Sequence, residues 1–403
     1  MEEAGYIVIG AGAFGASTAY NLARRGARGV VLLDRFEVGA QTSPRAAGLT
    51  SKVTGTELHT RLTDEAVEHL ARFEAESGRS INFHRSGSLK AALTPSGVER
   101  LERDAARAQA LGIRAEFVTH QRANELAPFF HPGRARTVLY CPEDAWVDPE
   151  TIAVGFAARA AEAGVEIRPN TPVDGVLHRG GAVIGVQTAR GEIRAPVVVD
   201  AAGAWSRLVA EVAGIRVPLV PTRHQLYATE PIPGVEPLQP IVRILETSVY
   251  VRHERGGLLV GGYEDEPRQV AVDQLPATFQ IRDLPLDFGP LRGLTEEVLE
   301  FFPALREARI REHRGGLPTL TPDGQFIVGP VPNLAGFYLI SGCNVGGLSL
   351  SPAVGRALVD LILDGRCEPD LRPYYVERFG DAYQDPGALL AACKDAYARK
   401  YVK

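Results

Sequence analysis

Residues 6–15, Tyr6-Ile7-Val8-Ile9-Gly10-Ala11-Gly12-Ala13-Phe14-Gly15, decide how the rest of the chain is read. The four leading apolar residues suit a buried parallel strand, the spaced glycines a tight turn, and Ala16 to Arg25 a helix that Gly26 stops. Val30 to Asp34 is the next strand, completing a unit of the length that a dinucleotide-binding fold needs. In such a unit Gly10 permits the turn, Gly12 lets a pyrophosphate approach the backbone, and Gly15 lets helix and strand pack closely. Glycines at this spacing also serve as a plain turn, so context has to decide. Asp34 stands 24 positions after Gly10, near the ~20 expected of the carboxylate that accepts a ribose hydroxyl. An acid there argues against a 2'-phosphate and favours FAD or NAD over NADP.

The chain has 403 residues, 45% of them hydrophobic, and a formal charge of -5, enough for a substantial core and for two domains. A pI near 6.0 without basic runs leaves no electrostatic footprint for nucleic acid or an anionic membrane, so small solutes are the expected ligands. Four scattered cysteines form no C-x-x-C pair, and neither a metal site nor a disulfide framework is expected. The first apolar run enters the glycine motif at once, and no run reaches the ~18 apolar residues of a membrane span. The expectation is a cytoplasmic protein with no signal peptide and no membrane partner.

Beyond the first unit, the pattern predicts helices over 58–77, 98–111 and 150–163, then a β-meander broken at Arg179-Gly180-Gly181 and Ala189-Arg190-Gly191. Val197, Val198 and Val199 suit another buried strand. Residues 217–311 carry strands rich in aromatic and β-branched residues, among them Val249 to Val251 and Leu258 to Tyr263, with no βαβ rhythm. The last third returns to the first pattern, with strands at 326–328 and 337–341, a glycine-rich loop, and a helix from Pro352 to Leu363. The expected fold class is α/β (α+β overall). A Rossmann-type domain, discontinuous over 1–83, 141–216 and 312–365, is joined by a mainly antiparallel β-sheet substrate domain over 84–140 and 217–311. Residues 366–403 form a helical tail, with an amphipathic stretch from Ala388 to Tyr401 that docks on the domain or on a partner.

Seven separated motifs carry a family resemblance: GAGAFG at 10–15, SPRAAGLTSK at 43–52, DAWVDPETI at 144–152, VVVDAAGAWS at 197–206, VPLVPTRHQ at 217–225, LPTLTPDGQFIVGP at 317–330 and SGCNVGGLSLSPAVG at 341–355. With them the chain resembles the D-amino-acid-oxidase-like flavoenzymes over nearly its whole length. It is most similar to the branch of dimethylglycine and sarcosine dehydrogenases and oxidases, without that branch's folate-binding domain. The resemblance implies FAD, with Gly10, Ala11, Gly12, Ala13, Phe14, Gly15, Asp34 and Arg35 at the adenosine end. It implies that Arg45, Ala46, Ala47, Gly48 and Leu49 lie against the isoalloxazine, and that Val345, Gly346, Gly347 and Leu348 cap its pyrimidine edge. Ser43, Val173, Ala202, Gly203, Trp205, Gly316, Pro318, Gly342 and Asn344 complete the implied cofactor contacts, Trp205 packing behind the cofactor. Successive backbone N–H groups with little side-chain bulk satisfy the negative N1–C2=O locus of a reduced flavin. The plainer reading of Gly346-Gly347, a strand-to-helix turn, is compatible with this. Relatives that bind flavin covalently use a histidine at the position of Arg45 or a cysteine at that of Gly316, so noncovalent FAD is implied.

His224 and Tyr250 match a histidine and a tyrosine that face the substrate amine in the dimethylglycine-oxidising branch. Read from the residues alone, structural roles explain both as well. Under the resemblance, a histidine titrating near pH 7 takes the amine's proton or orients the amine, with Tyr250 assisting. The implied reaction is FAD-dependent oxidation of a secondary or tertiary (N-methyl or cyclic) amine or amino acid. Hydride passes to flavin N5, and the imine hydrolyses to an aldehyde and the dealkylated amine. Oxygen or an electron-transfer partner accepts the electrons, and the chain acts alone or in a homo- or hetero-oligomer. Ser349 stands where the monomeric sarcosine oxidases clamp the substrate carboxylate with a lysine, which weakens the case for that clamp. Leu259 stands where they place an oxygen-activating lysine, which favours a dehydrogenase. A 2-hydroxy-acid or glycerol-phosphate oxidoreductase and a flavin-binding subunit of a heteromeric dehydrogenase are the alternatives. Strand alternation leaves open whether His84, Arg243, Arg252 and His253 face a pocket or solvent.

Overall fold

Tyr6–Ile9 lies inside a sheet because both of its neighbours, Val30–Leu33 and Val197–Asp200, are as apolar as it is. In the computed structural model, which describes residues 2–399, this sheet has six strands. They run Ile327–Pro330, Phe337–Ser341, Val197–Asp200, Tyr6–Ile9, Val30–Leu33 and Glu166–Arg168 from edge to edge. All pairs are parallel except the one made by Ile327–Pro330. A parallel sheet has to be covered on both faces, and alternation assigns the residues. Val8, Leu32 and Val199 meet a layer of helices, Ala13–Arg24, Glu57–Ser77, Pro149–Glu162 and Gly347–Asp364. Ile7, Val31 and Val198 meet the meander Val173–Arg179, Ala182–Thr188 and Gly191–Arg194 and the short helix Ser206–Val212.

A second sheet has eight strands in the order Ile310–Gly316, His224–Thr229, Gly257–Gly262, Val249–Glu254, Ile241–Ile244, Ser88–Ala92, Thr137–Cys141 and Glu116–Val118. Its pairs are antiparallel except for Ile241–Ile244 with Ser88–Ala92. One face packs on Phe129, Phe130, Phe301, Phe302 and the helix Phe288–Val298. Two short ribbons, Leu49–Thr50 with Ala145–Trp146 and Val220–Pro221 with Thr319–Leu320, run between the two sheets' segments.

Three expectations change. Residues 312–316, read with the nucleotide segments, belong to the edge strand of the eight-stranded sheet, because Ile310–Gly316 pairs with His224–Thr229 over its whole length. The last long helix, expected from Pro352, begins at Gly347. Proline inside a helix leaves the carbonyl four residues earlier without its N–H, at a cost of about 3 kcal/mol. Here the Ser351 hydroxyl donates to that carbonyl, Leu348 O, at 2.9 Å and fills the gap. The tail helix is Pro386–Ala398, and the expected extension to Tyr401 lies outside the described residues. It docks on the chain itself, against the ribbon of Val220–Pro221 and Thr319–Leu320.

Candidate active site

Two cavities, of about 260 and 310 Å³, lie at the two ends of the loop 42–49. The smaller is lined by Gly10, Gly12, Asp34, Arg35, Ser43, Val173, Ala202, Gly203 and Trp205, as expected for the adenosine end. Ala11, Ala13, Phe14 and Gly15 stand behind that wall. The three glycines divide the work. A Cβ at Gly10 would meet the Ala201 carbonyl oxygen at 2.5 Å, and one at Gly15 the Gly10 carbonyl oxygen at 1.7 Å. At Gly12 a Cβ would meet only Ser43 Oγ, at 3.3 Å, so its open side faces the cavity. The Asp34 carboxylate is held at the strand end by the N–H groups of Ala11 (2.6 Å) and Phe36 (2.7 Å), and burial raises it to about 6. The Arg35 guanidinium lies 5.3 Å from the Trp205 ring, so Trp205 forms part of the cavity wall beside a cation.

Helix starts mark both ends of the site. Five longer helices are capped by the side chains of Thr56, Thr94, Asp148, Asp287 and Asp385. The helices that begin after Gly12 and Gly346 have no side-chain cap. Ala13 N–H is taken by Ser43 Oγ at 3.0 Å, and the other leading N–H groups are open to an anion or a carbonyl oxygen. Glycine at both caps keeps the approach clear.

The larger cavity is lined by Ala46, Ala47, Gly48 and Leu49 on one side and by Val345, Gly346 and Leu348 on the other. The first loop is pinned from outside. Arg252 Nε donates to Ala47 O at 2.7 Å and Arg314 Nη2 to Ala46 O at 3.3 Å. Gly48 has φ +69°, and a Cβ there would meet Val147 O at 2.1 Å. Opposite, Asn344 (φ 43°) and Val345 (φ 67°) are both left-handed, a strained state for a β-branched residue. Asn344 holds it: its Nδ2 donates to Gly342 O (2.6 Å) and Gln325 O (3.0 Å), and its Oδ1 accepts from Thr321 N–H (3.1 Å). Asn344, Gly342, Gly347, Gly316 and Pro318 thus shape the loops without lining either cavity. Arg45 Nε and Gln41 Nε2 are buried donors with no hydrogen-bond partner among the described residues. Open helix starts, a glycine cradle and orphaned donors fit an elongated, anionic dinucleotide.

The eight-stranded sheet supplies the rest of the larger cavity. Cross-strand register sets Lys90, Arg243, Tyr250 and Gly261 in one row. A Cβ at position 261 would meet the Tyr250 hydroxyl at 2.3 Å, so glycine there leaves room for the tyrosine ring. The Tyr250 hydroxyl is 2.8 Å from His224 Nε2, and Nδ1 of the same ring is 2.7 Å from the hydroxyl of Tyr397. Tyr263 lies beside them with its ring tilted, its centroid 5.1 Å from that of His224. Burial lowers the imidazole to about 4, so it is neutral at pH 7 rather than titrating there. Tyr397 comes from the tail helix, and nothing local in the sequence ties it to His224. His84 and His253 lie against Trp146; Arg243 lines the cavity, and Arg252 holds the loop.

Residues 6–361 match the family described as FAD dependent oxidoreductase. The chain belongs to that family, and FAD is its cofactor. It is 33% identical over 98% of its length to 4-methylaminobutanoate oxidase (formaldehyde-forming) of Paenarthrobacter nicotinovorans, covering 48% of that protein. It is 32% identical over 94% of its length to mitochondrial dimethylglycine dehydrogenase of Rattus norvegicus, covering 45%. The chain thus spans about half the length of the curated relatives it matches. The solved L-proline dehydrogenase from P. horikoshii is similar at a TM-score of 0.85 and 26% identity, over 94% of this chain and 98% of that one. Among the described residues no helix is long and apolar enough to cross a membrane.

The glycines give the first prediction. Gly12→Ala folds with a melting temperature near wild type but loses FAD affinity, whereas Gly15→Ala loses both, read by thermal unfolding and by flavin content. The second concerns pH. A buried imidazole whose pKa falls from 6.5 to about 4 contributes stability that is full above pH 6.5 and lost as the pH drops to 4. In the cofactor-free protein, the stability gap between wild type and His224→Gln should therefore narrow by about 3 kcal/mol from pH 7 to 4. Urea unfolding at the two values measures it, and an unchanged gap excludes a buried neutral imidazole.

Proposed function

We propose that this chain oxidises a secondary or tertiary amine, N-methylated or cyclic, at the carbon next to nitrogen. The observation that carries the reading is the buried row Tyr250, His224, Tyr397, set against the cavity between the two flavin loops. Gly10, Gly12, Asp34, Arg35 and Trp205 hold the adenosine half, Arg45 to Leu49 and Val345 to Leu348 the isoalloxazine. Bound FAD supplies the hydride acceptor. Arg45 and Gly316 offer no side chain for a covalent link to flavin, so FAD is held noncovalently. Leu259 is fully buried in apolar packing beside Tyr250 and brings no charge for oxygen activation, which supports an acceptor other than oxygen.

Magnitudes decide what His224 does. Moving a proton from an alkylammonium, with a pKa of about 10, to an imidazole near 4 costs roughly 8 kcal/mol. The imidazole is therefore an orienting group and the amine reacts as its free base. A neutral ring donates from one nitrogen and accepts at the other. With Nδ1–H donating to Tyr397, Tyr250 donates to Nε2 and its oxygen accepts the N–H of a secondary amine. The amine's lone pair stays free to assist C–H cleavage.

Anaerobic mixing of the holoenzyme with N-methyl and cyclic amines tests the proposal. Amines bleach the flavin absorbance and release an aldehyde on turnover, and the rate rises with pH as the free-base fraction grows. His224→Gln and Tyr250→Phe keep FAD but are reduced about 10- to 100-fold more slowly. Denaturation releases the flavin into solution. Bleaching by a hydroxy acid and by none of the amines overturns the reading.

A further inference from the structure

We propose that the tail helix Pro386–Ala398 is a movable lid over the larger cavity, and that Tyr397 on it is a positioning residue that fixes His224 only while the lid is seated. This deepens the amine reading and rests on it for what enters the cavity.

The lining residues show where the cavity opens. Of those that line it, only Gly55, Thr56, Asp323 and Arg399 are exposed. Solvent therefore reaches it between the start of the helix Glu57–Ser77, the turn 323–325 and the end of the tail helix. Ala396 forms the wall just inside that mouth, and a Cβ at Gly324 would meet the Ala396 Cβ at 3.9 Å. The next residue, Tyr397, has its hydroxyl 2.7 Å from His224 Nδ1 and its ring centroid 5.1 Å from that of Tyr263, another residue of the wall. One helical turn is thus both the rim of the entrance and the support of the imidazole.

Of the lips of this mouth, the helix is the one free to move. The facing strap is anchored by Arg107 Nη1 donating to Thr54 O at 2.6 Å and Lys90 Nζ to Val53 O at 3.0 Å, and the turn by Arg378 Nε on Asp323 at 2.7 Å. In the helix only Cys393, Ala396 and Tyr397 are buried, and residues 384–388 leading into it are exposed. A segment with so little buried surface opens locally more readily than the sheets do. Lifting it widens the mouth and takes the Tyr397 hydroxyl from Nδ1, so the ring can turn and exchange tautomers. Seating it returns Nδ1–H to Tyr397 and leaves Nε2 to accept from Tyr250, the arrangement that orients the amine.

Two free thiols supply a matched probe. Cys393 and Cys141 are 0% and 1% exposed, and burial raises both to about 12, but Cys393 lies under the helix and Cys141 in the eight-stranded sheet. The FAD-loaded protein is treated with iodoacetamide under native conditions, and each site is read by peptide mass spectrometry. Cys393 should react at least about 10-fold faster than Cys141, and Tyr397→Phe should speed Cys393 about 10-fold further without moving Cys141. In anaerobic reduction by N-methylbutylamine, Tyr397→Phe should lower the limiting rate about 10-fold and leave the half-saturating concentration within about twofold, the split expected of positioning. The double variant Gly324→Cys/Ala396→Cys has a Cβ separation that suits a disulfide, which would staple the lid shut. Its oxidised form should be reduced by dilute amine at least about 10-fold more slowly than its dithiol form, a comparison that cancels the strain of a side chain at Gly324 (φ 70°). Equal labelling of Cys393 and Cys141, or equal reduction of the two redox forms, overturns the lid. An unchanged limiting rate in Tyr397→Phe overturns the positioning role. Reduction by no amine removes the amine reading, and the labelling then decides the lid alone.

Discussion

Two helix starts packed against each other fix the geometry on which everything else in this protein depends. Ala13–Arg24 and Gly347–Asp364 meet where Ser17 Oγ donates to Ser351 O at 2.7 Å and Gly355 leaves space for Ser17. At their leading ends, a Cβ on Gly347 would come within 3.4 Å of the Phe14 ring. Both uncapped starts therefore open at the same edge of the six-stranded sheet, beyond the carboxyl ends of its strands, where ligands of open α/β sheets bind. Because the leading N–H groups other than that of Ala13 are left to the ligand, the loops leading into each helix have to be fixed by other means. Ser43 and Asp34 fix the first, and Asn344 holds the second in a strained left-handed pair. The strain is tolerated because the polar contacts around Asn344 over-determine it.

The face beside the larger cavity follows from a different constraint, the burial of polar rings. An imidazole and two phenols removed from water each cost about 1–3 kcal/mol if left without a partner. His224, Tyr250 and Tyr397 satisfy one another, and Gly261 makes this possible by leaving the Tyr250 ring room to lie across the neighbouring strand. The tail helix is consequently part of the site. Cys393 and Tyr397 pack in the same apolar cluster as Leu226, Tyr250 and Leu259, and removing the helix would uncover both the ring of His224 and the ribbon beneath it.

What the sequence disclosed depends on how local each signal is. The strand, glycine turn and helix at 6–24, the strand at 30–33 and the meander breaks follow from apolar period and turn residues, and all of them stand. The helix start was misplaced at Pro352 because the rule that proline begins helices is blind to a serine hydroxyl replacing the missing N–H. The contact of His224 with Tyr397 spans 173 residues and has no sequence signature. The low basicity of His224 is equally hidden, since it arises from burial by the whole cluster. Lys90 offered a signal: a lone ammonium in the strand Ser88–Ala92, all five residues of which are buried. A charge in such a strand needs a polar partner, and the Val53 carbonyl at 3.0 Å supplies one beside the larger cavity.

The neutrality of the imidazole is itself a consequence of this packing. Deep burial of His224 between two phenols lowers its basicity to about 4. A histidine with ordinary basicity at this place would carry a positive charge for part of the time and repel any protonated amine brought near it. Because a neutral ring donates from one nitrogen and accepts at the other, and Tyr397 and Tyr250 engage both, what the cluster presents to the cavity is the Tyr250 hydroxyl and no charge.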